Sequence, residues 1–521
     1  MLKKVCFILL IYTTILSCIK NREPINWEAN YSIPLAHGSL GVTDIISDSL
    51  YSINPDNTIN IHFKRNLYQL SLDSIVELPD NQLSNVFALP FPVAIDFNPG
   101  QTFINQPEEQ NFSINSVELK DFSIESAILN YTITSTIQGE VIYDYTVNSA
   151  IDINGNPFQI SIVVPAAQNG ISSQISGTIN IPASNWNLEG SSGNEINTIL
   201  TTVNVKVSEN NLLPISVSNL DTLYIDNEIK AIVPISARGY FGEEIFQTGL
   251  DTTKLDFLNS IVSGSIGLSN IEMNLITNNG IGTDFRMLIN SLSSQGNNDI
   301  DLNHSIIGQT QNINRAYKVG NSIITSESNQ LINSSNSNIN AFLENLPSDL
   351  GYDIMVELNP LGNVSGHNDF IHKDFPLNLD IDLTTPLAFN SNQLTIIDTI
   401  DIDFPDSSGV NYGSLYLELT NGFPLEAEIL ISTLNSPSQL LDPALISGAT
   451  LNSNNIVNTP TVSSHVLNVS SESMEEMKTS KKIIISAIFN TLSQPQLVDF
   501  YDYYNLSFKI SADFNTTVTV P

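Results

Sequence analysis

The stretch Val141-Ile142-Tyr143-Asp144-Tyr145-Thr146-Val147 puts a large apolar side chain at every second position. Successive side chains of an extended strand point to opposite faces, so Val141, Tyr143, Tyr145 and Val147 share one face suited to a core. The same alternation recurs in both directions along the chain. Ile128, Tyr131 and Ile133 precede it; Ile160, Ile162 and Val164 follow, then Val203, Val205 and Val207. Further on come Leu379, Ile381 and Leu383, then Ile400, Ile402 and Phe404. Turn-forming pairs punctuate these runs: Asn154-Gly155, Asn169-Gly170, Asn279-Gly280 and Asn421-Gly422, each read as a hairpin turn. The pattern predicts a mainly β, multi-domain protein of antiparallel β-sandwich-like modules with one or two short helices.

Helix signals are few. Asn338 is placed to cap a helix over 339–345, stopped by Pro347, and Ser493 to cap another starting near Pro495 and running through Leu497, Phe500 and Tyr501. Residues 326–338 read as a Ser/Asn-rich loop, and 452–480 as an unpatterned, exposed excursion. An internal repeat is visible: Leu275-Ile276-Thr277-Asn278-Asn279-Gly280 has its counterpart 142 positions later in Leu417-Glu418-Leu419-Thr420-Asn421-Gly422. The same step backwards reaches Ile133, Tyr145 and Val147, without the Asn-Gly pair. One reading is duplicated β-sandwich modules; the other is that β-hairpins look alike.

The amino terminus has a separate logic. Lys3-Lys4, the twelve-residue apolar run Val5–Leu16 and then Ser17-Cys18 form a secretory signal. The run is shorter than the roughly 20 residues needed to cross a bilayer. Ile15-Leu16-Ser17-Cys18 resembles the bacterial lipobox, which implies cleavage before Cys18 and acylation of its thiol. Residues 18–30 then form a polar tether. The resulting division is 1–17 signal peptide, 18–30 lipidated tether, 31–230 β domain, 231–445 β domain with the hairpin repeat, and 446–521 a loop and closing strands.

Removing residues 1–17 takes Lys3 and Lys4 from a chain with 19 basic and 54 acidic side chains, so the body carries −37. That balance argues against nucleic acid as a partner and keeps a secreted protein in solution. Cys6 leaves with the signal, and Cys18 is the single cysteine of the mature chain, so the fold is held by core burial without disulfides.

The segment Trp27…Tyr31-Ser32-Ile33-Pro34-Leu35-Ala36-His37-Gly38, with Gly239-Tyr240-Phe241-Gly242 and Val356-Glu357-Leu358-Asn359-Pro360, resembles Bacteroidetes cell-envelope lipoproteins of unknown function. The resemblance implies an envelope location and β architecture, and brings no activity. Surface-exported members carry an acidic cluster after the lipidated cysteine; Ile19-Lys20-Asn21-Arg22-Glu23 lacks it, so a periplasmic and a surface position both stay open. The resemblance also implies candidate O-glycosylation in Asp-Ser/Thr-aliphatic or Asp-Ser/Thr-Thr triplets, here at Ser49, Ser74, Thr222, Thr252 and Thr399.

Catalytic motifs do not emerge. Of six histidines, His367 and His372 share a stretch with Asp369 and Asp374, but a five-residue step places them on opposite faces of a strand, so a polar loop is the better reading than a metal site. Asp398, Asp401, Asp403 and Asp406 fail the calcium-loop spacing, since Pro405, Asp406 and Tyr412 stand where a ligand, Gly and Glu are needed. No nucleophile elbow, phosphate loop or zinc motif is present. Phe500-Tyr501-Asp502-Tyr503-Tyr504 suits either sugar stacking or core packing, and core packing is preferred. The sequence therefore points to a lipid-anchored, non-enzymatic binding or structural component of the envelope, without cofactor. Its partners would be the membrane through Cys18, and envelope proteins or glycans. The alternatives are a carbohydrate-active hydrolase or a periplasmic lipid carrier.

Overall fold

In the computed structural model the described residues run from 25 to 520, excepting 43–45, 47–49, 89–91, 113, 115, 256–260, 297, 403–409, 435–442 and 492–496. Strand accounts for 64% and helix for 5%, and every strand pairing between named strands is antiparallel. The mainly β reading holds. Val141, Tyr143, Tyr145 and Val147 are all buried, whereas in the preceding strand the core positions are Ala127 and Leu129 rather than Ile128.

The strands repeat one connectivity three times. Each unit opens on a strand, Glu118–Ser135, Glu272–Asn279 or Val410–Asn421, that turns into a second strand of another ladder, Val141–Ile151, Phe285–Gln295 or Glu426–Thr433. A third strand, Ser173–Ile181, Ser326–Asn333 or Thr461–Val469, returns to pair with the first. A fourth, Thr198–Val207, Asp349–Leu358 or Lys482–Asn490, pairs with the second. A fifth, Thr222–Tyr240, Leu377–Pro386 or Asn505–Val520, lies on the other side of the first.

Register makes the equivalence residue-specific. Ser135 pairs with Ser173 and Leu223, Asn279 with Ser326 and Leu377, and Asn421 with Thr461 and Leu506. In the second ladder Val141 faces Val207, Phe285 faces Leu358 and Ala427 faces Phe489. The step is 144 residues from Ser135 to Asn279 and 142 from Asn279 to Asn421. The first copy is thus offset by two residues, and Ser replaces Asn at its corner.

Flanking strands complete both sheets in each unit. The segment preceding the first strand pairs with the fourth: Thr102–Asn111, then Glu244–Gln247 with Asp251–Lys254, then Ala388–Asp401. The segment following the second pairs back onto it: Pro157–Val164, Thr310–Ile313 and Ala444–Ile446. In every unit the fifth strand also takes a neighbour from the start of the chain. Asn81–Ala88 serves the first unit, Ile59–Leu70 the second and Ile25–Gly41 the third. The early strands visit the units in reverse order.

The corner between first and second strand carries the same bonds in each copy. The N–H of Ile137 donates to Ser135 Oγ at 3.1 Å, that of Ile281 to Asn279 Oδ1 at 2.9 Å, and that of Phe423 to Asn421 Oδ1 at 2.9 Å. The intervening N–H groups of Thr136, Gly280 and Gly422 donate to Thr222, Pro376 and Asn505 carbonyls. The corner residues Ser135, Asn279 and Asn421 are fully buried. Asn279-Gly280 and Asn421-Gly422 are therefore not hairpin turns. Neither pair has positive φ, whereas Gly155, Asn169 and Gly170 in the true turns do. Their glycines answer a close approach instead: a Cβ on Gly280 would sit 2.6 Å from the Phe375 carbonyl oxygen, and one on Gly422 2.8 Å from that of Asn505.

Three helices are described: Leu72–Ile75, Ile339–Glu344 and Ser471–Ser480. The second is the one predicted behind Asn338, although the Asn338 side chain bonds Asn303 N–H and the Asp301 carbonyl rather than capping it. The third lies in the stretch read as an unpatterned excursion. Ser470 Oγ accepts the Ser473 N–H as its cap, and Met474 and Met477 are fully buried. The helix expected behind Ser493 is absent from the described part, where Val498–Asp499 is a strand and Tyr501 bridges Thr58; Ser493 and Pro495 lie outside the described residues. The loop expected over 326–338 is in its first half the strand Ser326–Asn333, whose edge position tolerates its polar composition.

Asn421 also donates Nδ2 to the carbonyls of Leu425 and Ser447. Asn421→Ala would strand the Phe423 N–H and the Leu425 carbonyl in a buried corner, and unpaired buried groups cost about 1–3 kcal/mol each. We expect denaturant unfolding to show a larger loss for Asn421→Ala than for Ser135→Ala, and almost none for the exposed Asn154→Ala.

Candidate functional site

The third unit is open at one side. Its outermost strand, Ile25–Gly41, slips register between Pro34 and Ala36, leaving Leu35 as an extra residue. Proline has no N–H to give the ladder and is tolerated at an edge or bulge. The bulge turns Leu35 inward, where it is 3% exposed. Beside it lies a cavity of about 790 Å³, lined by Leu35, Ala36, Ile400, Ile402 and Ile510 on its apolar side. Its polar lining is His37, Asp401, Glu418, Lys509 and Ser511. His37, Lys509 and Glu418 form one row across three strands. Asp401 is held by Lys482 at 2.9 Å. A volume of this size with an apolar floor and a few charged groups suits a small amphipathic molecule.

At the first unit the corresponding strands are bridged by polar side chains. Asn85, on Asn81–Ala88, donates to Glu108 Oε2, on Thr102–Asn111, and Gln110 Nε2 donates to the same oxygen at 3.2 Å. Desolvation holds the Glu108 carboxyl above the usual glutamate range, against the lowering effect of Gln110 and Asn85. Deeper in, Asn227 Nδ2 donates to Tyr143 Oη at 3.1 Å, joining the fifth strand to the second across the core. Tyr145 Oη, Thr201 Oγ1 and Asn227 Oδ1 are buried close by, and burial pushes both tyrosine hydroxyls far up.

The histidine pair lies between the first and second units. His367 Nε2 meets Glu118 Oε2 at 2.5 Å, while His372 Nδ1 lies 3.6 Å from Asp374. Asp369, 1% exposed, pairs with Arg315, which also donates to the Gly282 carbonyl at 2.6 Å. Strand Asp369–His372 pairs with Ser236–Gly239 of the first unit, and Lys373 reaches Glu125 at 3.0 Å. These groups clamp one unit to the next, and the two imidazoles take different partners. Among the described residues no group of three or more His, Cys, Asp or Glu is placed to hold a metal. Asp398 accepts the Thr399 N–H at 2.7 Å; Asp403 and Asp406 lie outside the described residues.

The aromatic run is core. Phe500 and Tyr504 are buried around Phe423, and Tyr504 Oη accepts the Val457 N–H at 2.9 Å; only Tyr503 is largely exposed. Ser74, Thr252 and Thr399 are exposed and Thr222 is half-buried, while Cys18 and Ser49 lie outside the described residues. Sequence reasoning missed the cavity because its walls come from residues 34–37, 400–402, 418 and 509–511. Only Pro34 inside an alternating run signals the bulge.

Among the described residues no helix is long and apolar enough to cross a membrane. No family model matches the sequence, and no curated protein matches it. Among solved structures the chain is similar to one described as a "putative secreted protein" from Parabacteroides distasonis ATCC 8503, at 10% identity over 52% of this chain and 88% of that one, with a TM-score of 0.24.

Glu108 yields a pH prediction. Its raised folded-state pKa means that folding favours the protonated form. Its contribution is full below the ordinary glutamate value of about 4.3 and is lost as pH rises through the folded value. We expect the melting temperature of Glu108→Gln relative to wild type to rise between pH 4 and 7; a difference independent of pH would contradict the assignment.

Proposed function

We propose that the protein is a lipid-anchored component of the cell envelope that acts by binding or by structural support rather than by catalysis. The observation that carries the reading is the placement of the cavity. It lies against the strand Ile25–Gly41, which begins seven residues after Cys18, so the tethered strand is itself a wall of the binding site. An apolar group would lie over Leu35, Ile400, Ile402 and Ile510, and a charged one would meet Lys509, Glu418 or His37. The lipid-carrier alternative uses the same apolar wall for an acyl chain. The hydrolase alternative needs two carboxyl groups facing across a cleft; Asp401 and Glu418 line the cavity, but Asp401 is committed to Lys482.

Ser74, Thr252 and Thr399 stand where a glycan would meet solvent, which supports their proposed modification; Ser49 and Thr222 belong to the same proposal on sequence grounds. The leaflet is a separate matter, decided by whether added proteinase cleaves the chain in intact cells or only after outer-membrane permeabilisation.

Cys18→Ser tests the anchor. The variant is expected to leave the membrane pellet and appear in the soluble fraction with an unchanged far-ultraviolet spectrum. Its retention in the pellet would contradict lipid anchoring. For the cavity, Ile400→Trp is expected to abolish uptake of a fluorescent fatty-acyl probe that wild type binds; equal uptake by both would remove the cavity from the account.

A further inference from the structure

The first strand outruns the unit that it completes. Ile25–Gly41 pairs with Asn505–Val520 from Gly41↔Asn505 to Ile25↔Val520. Among the described residues, the next strand in that sheet pairs as far as Val410↔Thr516. Beyond that point, among the described residues, 25–28 and 517–520 pair with each other alone, as a two-stranded ribbon. Its two faces differ in chemistry. Trp27, Ala29, Tyr31 and Ile33 follow the core-side alternation, with Tyr31 opposite buried Phe514 and Ile33 opposite buried Ala512. Glu28, Asn30 and Ser32 take the other face and are exposed. The core-side face has run past its core: Trp27 is 60% exposed, and Tyr31 is 47% exposed while stacking on Phe514 at 5.8 Å.

We infer that this ribbon lies in the interfacial layer of a membrane, with Trp27 and Tyr31 seated among the lipid headgroups. The occupant follows from the tether. Ile25 stands seven residues beyond Cys18, at most about 25 Å of extended chain, so a bilayer holding Cys18 is present at high effective concentration. Tryptophan and tyrosine suit that layer because each ring is apolar over most of its surface and carries one polar hydrogen. Lys20 and Arg22 in the tether add local attraction to anionic headgroups. The acidic body is thereby held with one defined end on the surface instead of swinging freely on its acyl chains. This inference rests on the lipid-anchor reading for its lipid source, and its test separates the two.

Cys18 is the single cysteine of the mature chain and Trp27 one of two tryptophans, the other being Trp186, 1% exposed with Nε1–H donated to Ser184 Oγ at 3.0 Å. A chain starting at Cys18 is coupled through its thiol to maleimide lipid in phosphatidylcholine vesicles, with or without acyl-brominated phosphatidylcholine. In Trp186→Phe, coupling should shift Trp27 emission to the blue, and the brominated lipid should quench it. Trp27→Phe, which retains buried Trp186, should show neither change. Emission that stays that of a water-exposed indole, unquenched on coupled vesicles, overturns the inference. So does a blue shift that grows with protein concentration without vesicles, which would assign the face to a second copy. If Trp186→Phe fails to fold, wild type gives the same readout over a constant buried background. Because the thiol link replaces the acyl chains, the result is independent of acylation in cells, which the mass of the native amino-terminal peptide decides.

Discussion

The structure depends on how the chain leaves one sheet and enters the next. At each of the three corners a strand ends fully buried, and the backbone crosses between ladders within a few residues. Interior backbone groups must find partners, because an orphaned one costs more than a formed bond contributes. Ser135, Asn279 and Asn421 meet that requirement by accepting the N–H two residues on. Asparagine does more than serine, since Nδ2 of Asn279 also holds the Asn314 carbonyl and that of Asn421 the Leu425 and Ser447 carbonyls. The corner then fixes register on both sides, and with it which face of every strand is buried.

A second constraint is the supply of edge strands. The fifth strand of each unit would expose unpaired N–H and C=O groups, an invitation to aggregation, were it not covered by a strand from the start of the chain. The first described strand, Ile25–Gly41, pairs with Asn505–Val520, so the third unit cannot be completed until residue 520 is made. Contacts of such sequence separation slow folding. They also make the first described strand an integral part of the third unit. A pull on the chain at Ile25 is therefore borne by a continuous ladder of backbone hydrogen bonds.

Much of this was legible in the sequence where burial alone decides the pattern. Val141 to Val147, Leu379 to Leu383 and the closing strand read correctly because one face of each is core. The repeat is visible through Asn279-Gly280 and Asn421-Gly422, but the pair reads as a hairpin turn. An Asn-Gly dipeptide looks identical whether glycine supplies positive φ or merely makes room for a passing carbonyl. The first copy was obscured for a chemical reason: Ser135 makes the corner bond without an amide, and Thr136 replaces the glycine. Ser326–Asn333 and Ser471–Ser480 do not show in the sequence because an exposed edge strand and a helix burying little more than Met474 and Met477 carry weak periodicity. The cavity had no local signal at all, since four separate segments build it.

The central claim, three equivalent units each locked by one buried corner residue, is tested most directly by amide hydrogen exchange at Ile137, Ile281 and Phe423. All three N–H groups are predicted to be protected to nearly the level of global unfolding, in contrast to the N–H of Asn154 and Asn156 in the exposed turn that joins Val141–Ile151 to Pro157–Val164. Exchange at Ile281 and Phe423 as fast as at that turn would restore the hairpin reading and contradict the account.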